Sequence, residues 1–290
     1  MAEQTTVNGV RLFWELTGDT GEPLVLVHGA FIDHHNWDVL VPLLSPTFRV
    51  LTYDRRGHSQ SERPLSQGSI EEDAADLAAL IETLGLAPAH IAGSSTGALV
   101  VLRLAASRPD LFRSMIVHEP PLFDLLRGDP AYDAMLTAFG DGVDRVVELL
   151  EAGRYEEGVR QFVETLIFGP GAWEQIPPEV KQTVIFNAPT FLDERRDPEA
   201  LSVDLARLRR FARPVLFTLG ELSPPLFRGA LEKLGEVLLH AEWKMFAGAG
   251  HEPEVEQADL YAAALIDFVE RAGNLNPSLS ARQGDLPPKT

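Results

Sequence analysis

Residues 89–100 read AHIAGSSTGALV. A short apolar run ends in small residues, and a second apolar run at helical spacing follows at once, so the stretch predicts a strand turning directly into a helix. Gly93-Ser94-Ser95-Thr96-Gly97 spells G-x-S-x-G centred on Ser95. In a nucleophile elbow of this kind the serine takes a strained backbone that lifts its Oγ above the sheet, and the flanking glycines let strand and helix approach closely. Ser94 has Ala92 and Thr96 in the flanking positions and fits worse. Ser95 is the expected nucleophile.

Outward from this turn the N-terminal half alternates short apolar runs with helical patterns, the mark of a parallel sheet with crossover helices. Residues 5–17 read as a hairpin turning at Asn8-Gly9, which accepts the positive φ values of a two-residue turn. Pro23–Gly29 and Phe48–Asp54 read as buried strands, with a crossover helix over Asn36–Leu44. Ser69 with Glu72 forms a capping box ahead of a helix that puts Leu77, Leu80, Ile81 and Leu84 on one stripe. Phe112–Pro120, Arg213–Glu221 and His240–Gly248 complete an expected eight strands. Residues 121–210 are helical in rhythm and aromatic-rich, which predicts a cap inserted in a core made of residues 1–120 and 211–273. Glu254–Ala272 reads as the closing helix, and residues 274–290 as a flexible tail.

The 290 residues carry 25 Lys+Arg against 43 Asp+Glu, a net charge of −18 that repels nucleic acid and anionic membrane surfaces. Without cysteine there is no disulfide framework and no thiolate nucleophile. The polar opening MAEQTTVNGV lacks an apolar signal core, and no run approaches the roughly 20 apolar residues of a membrane span. A cytoplasmic location is expected.

A serine hydroxyl needs a general base, most often histidine. His251 stands in FAGAGHEP, a tight glycine loop between the last strand and the last helix. Asp33, His34 and His35 are metal-capable in type, but adjacent histidines on a short loop, with no further ligands near in sequence, predict no metal site. His28 reads as a residue that fixes its loop, and Asp54-Arg55-Arg56-Gly57-His58 as a charged structural turn behind the sheet.

VHGA after a strand, YDRRGHSQSERP, AGSSTG, and GAGH before the last helix, in that order, resemble the α/β-hydrolase superfamily over nearly the whole chain. The resemblance implies a serine hydrolase of the capped esterase or lactonase type. It implies an oxyanion hole made of backbone N–H groups from Thr96 and from Ala30 or Phe31, and a reaction needing no cofactor. It also implies an acid that holds the histidine in its productive tautomer. Family members usually carry that acid as an aspartate after the strand that here is RPVLFTLG, yet Ser223 stands in its place. Two glutamates compete. Glu119 ends a strand in VHEPP, where zearalenone-type lactone hydrolases with a similar stretch place theirs, and Glu221 directly follows Gly220. Glu119, locked by two prolines, is preferred.

Most cap aromatics are expected to be core, but Phe31, Trp37, Phe123, Phe168, Trp173 and Phe186 are candidates for a pocket lining. Together these readings predict a Ser95-His251-Glu119 triad acting on a neutral, largely apolar ester or lactone. A homodimer is left open. Carbon–carbon bond hydrolysis, cofactor-free perhydrolysis and a ligand-binding pseudoenzyme stay open as alternatives.

Overall fold

The computed structural model describes residues 2–274. The tail expected over 274–290 therefore lies outside the described residues, except Asn274, which ends the last helix. Eight strands form one sheet: β1 (Ala2–Val7), β2 (Val10–Thr17), β3 (Pro23–Val27), β4 (Arg49–Tyr53), β5 (Ala89–Ser94), β6 (Phe112–His118), β7 (Val215–Gly220) and β8 (Glu242–Phe246). Their order is β1-β2-β4-β3-β5-β6-β7-β8, antiparallel at β1–β2 and β2–β4 and parallel elsewhere. Asn8 (φ 48°) and Gly9 (φ 80°) make the hairpin turn, although β1 begins at Ala2, before the expected Thr5.

Seven helices of eight residues or more lie among the described residues: α1 (Ile70–Thr83), α2 (Thr96–Ser107), α3 (Asp133–Glu151), α4 (Tyr155–Phe162), α5 (Pro178–Arg196), α6 (Pro225–Gly235) and α7 (Ala258–Asn274). Ser69 caps α1 as the capping box predicts, its Oγ accepting the Glu72 N–H at 3.2 Å. The expected crossover helix after β3 is instead two short turns, His34–Trp37 and Val41–Leu44. The closing helix is likewise split, with a turn at Pro253–Glu256 preceding α7.

The central strands β3 and β5 are buried along their whole length, as strands covered on both faces must be. Each fully buried Val, Leu or Ile there contributes about 1.5–3 kcal/mol. One face packs under α1, α2 and α6, and the other under Trp37, Leu44 and α7. Between β6 and β7 the chain leaves the sheet and folds α3, α4 and α5 around a separate apolar cluster of Val146, Val159, Trp173, Ala188 and Phe191. Phe31, from the loop after β3, joins that cluster and so ties it to the sheet. Among the described residues no helix is long and apolar enough to cross a membrane.

Candidate active site

Ser95 sits between β5 and α2 with φ 53° and ψ −121°, a region almost reserved for glycine that costs on the order of 1–3 kcal/mol. Its neighbours over-determine it. A Cβ on Gly93 would lie 2.4 Å from the Gly97 carbonyl oxygen, and one on Gly97 would lie 2.2 Å from that of Val27. Only glycine at both positions lets α2 start this close to β3 and β5. The Ser95 N–H donates to the His118 carbonyl at 2.9 Å, fixing the turn to β6. Ser94, the rival serine, is buried and donates to Glu254 Oε1 at 2.9 Å, while Ser95 is partly exposed.

Glu119 follows β6, fully buried, with its own left-handed φ of 43° ahead of Pro120. Its Oε2 accepts from His251 Nδ1 at 2.5 Å and its Oε1 from the Gly220 N–H at 2.7 Å. The Nδ1 proton is thereby assigned, and among the described residues Nε2 of His251 has no hydrogen-bond partner. Burial pushes the Glu119 carboxyl up, but His118, the His251 hydrogen bond and the His251 charge outweigh it, so its pKa lies below the ordinary value. Burial pushes His251 down, but the hydrogen bond and charge of Glu119, aided by Glu252 and Glu254, raise it above its ordinary value. Each group thus favours the charged form of the other.

The His251 loop is clamped from below and on one side. His118, fully buried, donates from Nε2 to the His251 carbonyl at 3.0 Å and accepts from the Thr218 hydroxyl at 3.0 Å through Nδ1. Phe227 of α6 stacks on the His251 ring at 4.4 Å and 24°. Neither was expected from the sequence: His118 is one letter from the acid but reads as part of a strand, and Phe227 carries no local signal. Glu221 is exposed and accepts from the Gly248 N–H at 2.8 Å, away from the histidine ring. Ser223 is half-buried with its Oγ covered near Glu119, where the hydroxyl further favours the charged carboxylate but makes no hydrogen bond of ordinary geometry.

The loop after β3 passes directly over the serine. A Cβ on Gly29 would be 3.3 Å from Ser95 Cβ. Phe31 has φ 66° and Ile32 N–H donates back to the Ala30 carbonyl at 2.8 Å, a γ-turn of the rare, strained hand. Its ring, 3% exposed, packs against Phe162 at 4.9 Å and Phe191 at 4.8 Å. Among the described residues the N–H groups of Ala30 and Thr96 donate to no acceptor.

The six aromatic candidates separate. Phe168, 40% exposed, approaches the His251 ring edge-on at 6.3 Å, and Phe31 borders the serine loop. Phe123 lies one ring back, against Phe227 at 5.0 Å. Three expectations need correction. Trp37 is buried in the core under α7, because its short turn packs inward, and Trp173 is buried in the helical cluster. Phe186 is 60% exposed with Arg63 over its ring, turned to solvent by its place on α5. The turn at Asp54–His58 also lies elsewhere than expected, since Arg55 reaches Gly29 and α5 rather than the back of the sheet.

Asp33, His34 and His35 bring possible ligand atoms within 4.8 Å of one another, but local bonds already engage them. Asp33 accepts from the His35 N–H and from Ser59 Oγ, His34 Nδ1 meets Asp54 at 2.6 Å, and His35 Nδ1 meets Asp38 at 2.9 Å. They cap and brace a turn.

A family model described as the alpha/beta hydrolase fold matches residues 22–257. The chain belongs to the α/β hydrolase family. Over 280 residues it is 30% identical to a pimeloyl-[acyl-carrier protein] methyl ester esterase of Neisseria meningitidis, covering 93% of this chain and 83% of that protein. It is 39% identical over 114 residues to the dihydrolipoyllysine-residue acetyltransferase component of the acetoin cleaving system of Pseudomonas putida. That match takes in 39% of this chain and spans only 31% of that relative. Among solved structures, an α/β hydrolase from Sphaerobacter thermophilus superposes with a TM-score of 0.71 at 26% identity, covering 92% of this chain and 99% of that one. In this chain a glutamate after β6 bonds to the histidine, and a serine stands after β7.

Proposed function

We propose that this α/β hydrolase is a serine esterase or lactonase using Ser95, His251 and Glu119 on a neutral, largely apolar small molecule. The observation that carries the reading is the 2.5 Å bond from His251 to the buried Glu119, together with a serine in a strained elbow whose N–H donates to the carbonyl of His118, the residue before Glu119. Glu119 keeps the proton on Nδ1 and leaves Nε2 to act as base. Ser95 Oγ attacks the carbonyl carbon as its proton passes to His251 Nε2. The carbonyl oxygen becomes negative between the free N–H groups of Ala30 and Thr96, where losing one such donor costs about 10²–10³-fold. Collapse expels the alcohol, which takes the proton from Nε2. Water activated by the same nitrogen then hydrolyses the acyl-enzyme.

The esterase named among the relatives supports ester chemistry, and the rings of Phe168, Phe227 and Phe31 around the site favour an apolar substrate. The test is stopped-flow turnover of p-nitrophenyl acetate. A burst stoichiometric with enzyme and lost in Ser95→Ala is expected. Turnover unchanged in Ser95→Ala would end the proposal.

A further inference from the structure

Arg55 is fully buried, yet its guanidinium faces three different parts of the molecule. Nη1 donates to Asp73 of α1 at 2.8 Å; Nη2 donates to Glu194 of α5 at 2.9 Å and to the Gly29 carbonyl at 3.1 Å. The Gly29 oxygen receives a second bond, from His28 Nδ1 at 2.9 Å, while His28 Nε2 accepts the Arg55 backbone N–H at 3.0 Å. His28 is held neutral, its pKa pushed down to about 3 by burial and then by the Arg55 charge, so this single tautomer satisfies every bond. Both lone pairs of the Gly29 carbonyl are thus occupied.

A peptide unit is planar and trans, so the direction of the Gly29 C=O dictates the opposite direction for the Ala30 N–H. The same peptide abuts Ser95, and the N–H has no acceptor of its own among the described residues. Arg55 therefore grips the carbonyl side of this peptide, and the Ala30 N–H, the donor proposed above for the oxyanion, points away from it.

Glu194 brings α5 into the same bond system. It shares one helix face with Asn187 and Thr190, which also bond to the sheet side. Asn187 donates to the Ile32 carbonyl at 3.2 Å and accepts the Ser59 N–H at 2.7 Å. Thr190 Oγ1 lies 3.0 Å from His58 Nε2. Three side chains of α5 thus bond to the loops that flank Ser95.

We infer that Arg55 is a positioning residue which makes the aim of the Ala30 N–H depend on α5 being docked. This rests on the serine-hydrolase reading above. A lysine, with one nitrogen and a shorter reach, cannot serve Asp73, Glu194 and Gly29 together.

The experiment measures acylation by p-nitrophenyl acetate in Glu194→Ala, Glu194→Gln and Arg55→Lys. Acetate is too small to need contacts with the α3–α5 region. In Glu194→Ala the acylation rate should fall about 10-fold with KM within about twofold, because the donor is misaimed rather than the substrate unbound. Glu194→Gln, which keeps an acceptor oxygen for Nη2, should stay within about threefold of wild type. Affinity for a trifluoromethyl ketone, whose adduct places an oxyanion in the hole, should weaken in parallel with the rate. Wild-type acylation in Glu194→Ala, or a loss carried wholly by KM, overturns the inference. Should Arg55→Lys not fold, the two Glu194 variants decide. Failure of the underlying reading is visible separately, as a burst that persists in Ser95→Ala.

Discussion

Glu119 accepts the backbone N–H of Gly220, so the end of β7 serves the carboxylate instead of supplying one. The exchange depends on burial: Glu119 has no exposure, and each of its oxygens has a directed donor. Glu119→Gln keeps the shape but cannot hold the imidazole tautomer or stabilise its cation. It should lower kcat about 10³-fold or more, whereas Glu221→Gln, at an exposed turn, should stay close to wild type. Steady-state kinetics on one ester decide between them.

In the proposed mechanism the acid limb of kcat/KM reports protonation of His251 in the free enzyme, and that histidine is held above its ordinary value of 6.5. The charged and titratable groups around it are Glu119, Glu252, Glu254 and His118. Activity should rise with pH through a midpoint above 6.5, and Glu119→Gln should move that midpoint down.

Stability carries the same signs. The raised His251 stabilises the fold below about 6.5, a contribution lost as pH rises through its folded value. The lowered Glu119 contributes above about 4.5, a contribution lost as pH falls through its folded value. Glu252, raised to about 7 by burial and then by Glu254, opposes Glu119: it favours the fold progressively as pH falls from 7 toward 4.5. In Glu252→Gln, denaturant melts across that range should lose this last component.

The elbow makes a contrast among glycines. Gly97→Ala puts a methyl 2.2 Å from the Val27 oxygen and 2.5 Å from that of His28, backbone atoms that cannot swing away. A loss of about 3 kcal/mol or more is expected. Gly85→Ala has open space and only a positive φ of 65° to contend with, and should cost about 1–2 kcal/mol. Thermal melts of the two variants test the difference.

Phe31 holds a positive φ because two phenylalanine rings hold its side chain. Phe31→Ala should destabilise by about 3–5 kcal/mol. Phe31→Gly loses the same ring but relieves the backbone, so it should be no less stable than the alanine variant. Chemical denaturation of both measures the strain directly.

The set of strands and the elbow are legible because both rest on short-range rules: strand runs buried on both faces, Asn8-Gly9 at a hairpin, and glycines two residues either side of Ser95. The glutamate after β6 was legible for a weaker reason, the missing aspartate at Ser223, which forced a choice between two acids. Aromatic placement was not legible. Trp37, Trp173 and Phe186 have the spacing of pocket and core residues alike, and only tertiary packing turns one inward and another to solvent. The break before α7 has a tertiary cause: Gln257 leaves the helix to donate its side chain to the Ala247 carbonyl at 2.9 Å. Arg55 reads as a turn charge because three of its partners lie 18, 26 and 139 residues away.

The excursion between β6 and β7 has an evolutionary consequence. It starts just past Glu119 and rejoins the sheet at Val215, so Ser95, Glu119 and His251 all lie outside it. A foreign helical segment can be grafted across those two seams without replacing a residue of the proposed triad. The graft must still carry an acceptor facing Arg55, an amide facing Ile32 and Ser59, and a ring facing Phe31. It must also keep a hydroxyl facing His58 and the apolar residues Phe123, Leu208 and Phe211 that join the core under the sheet.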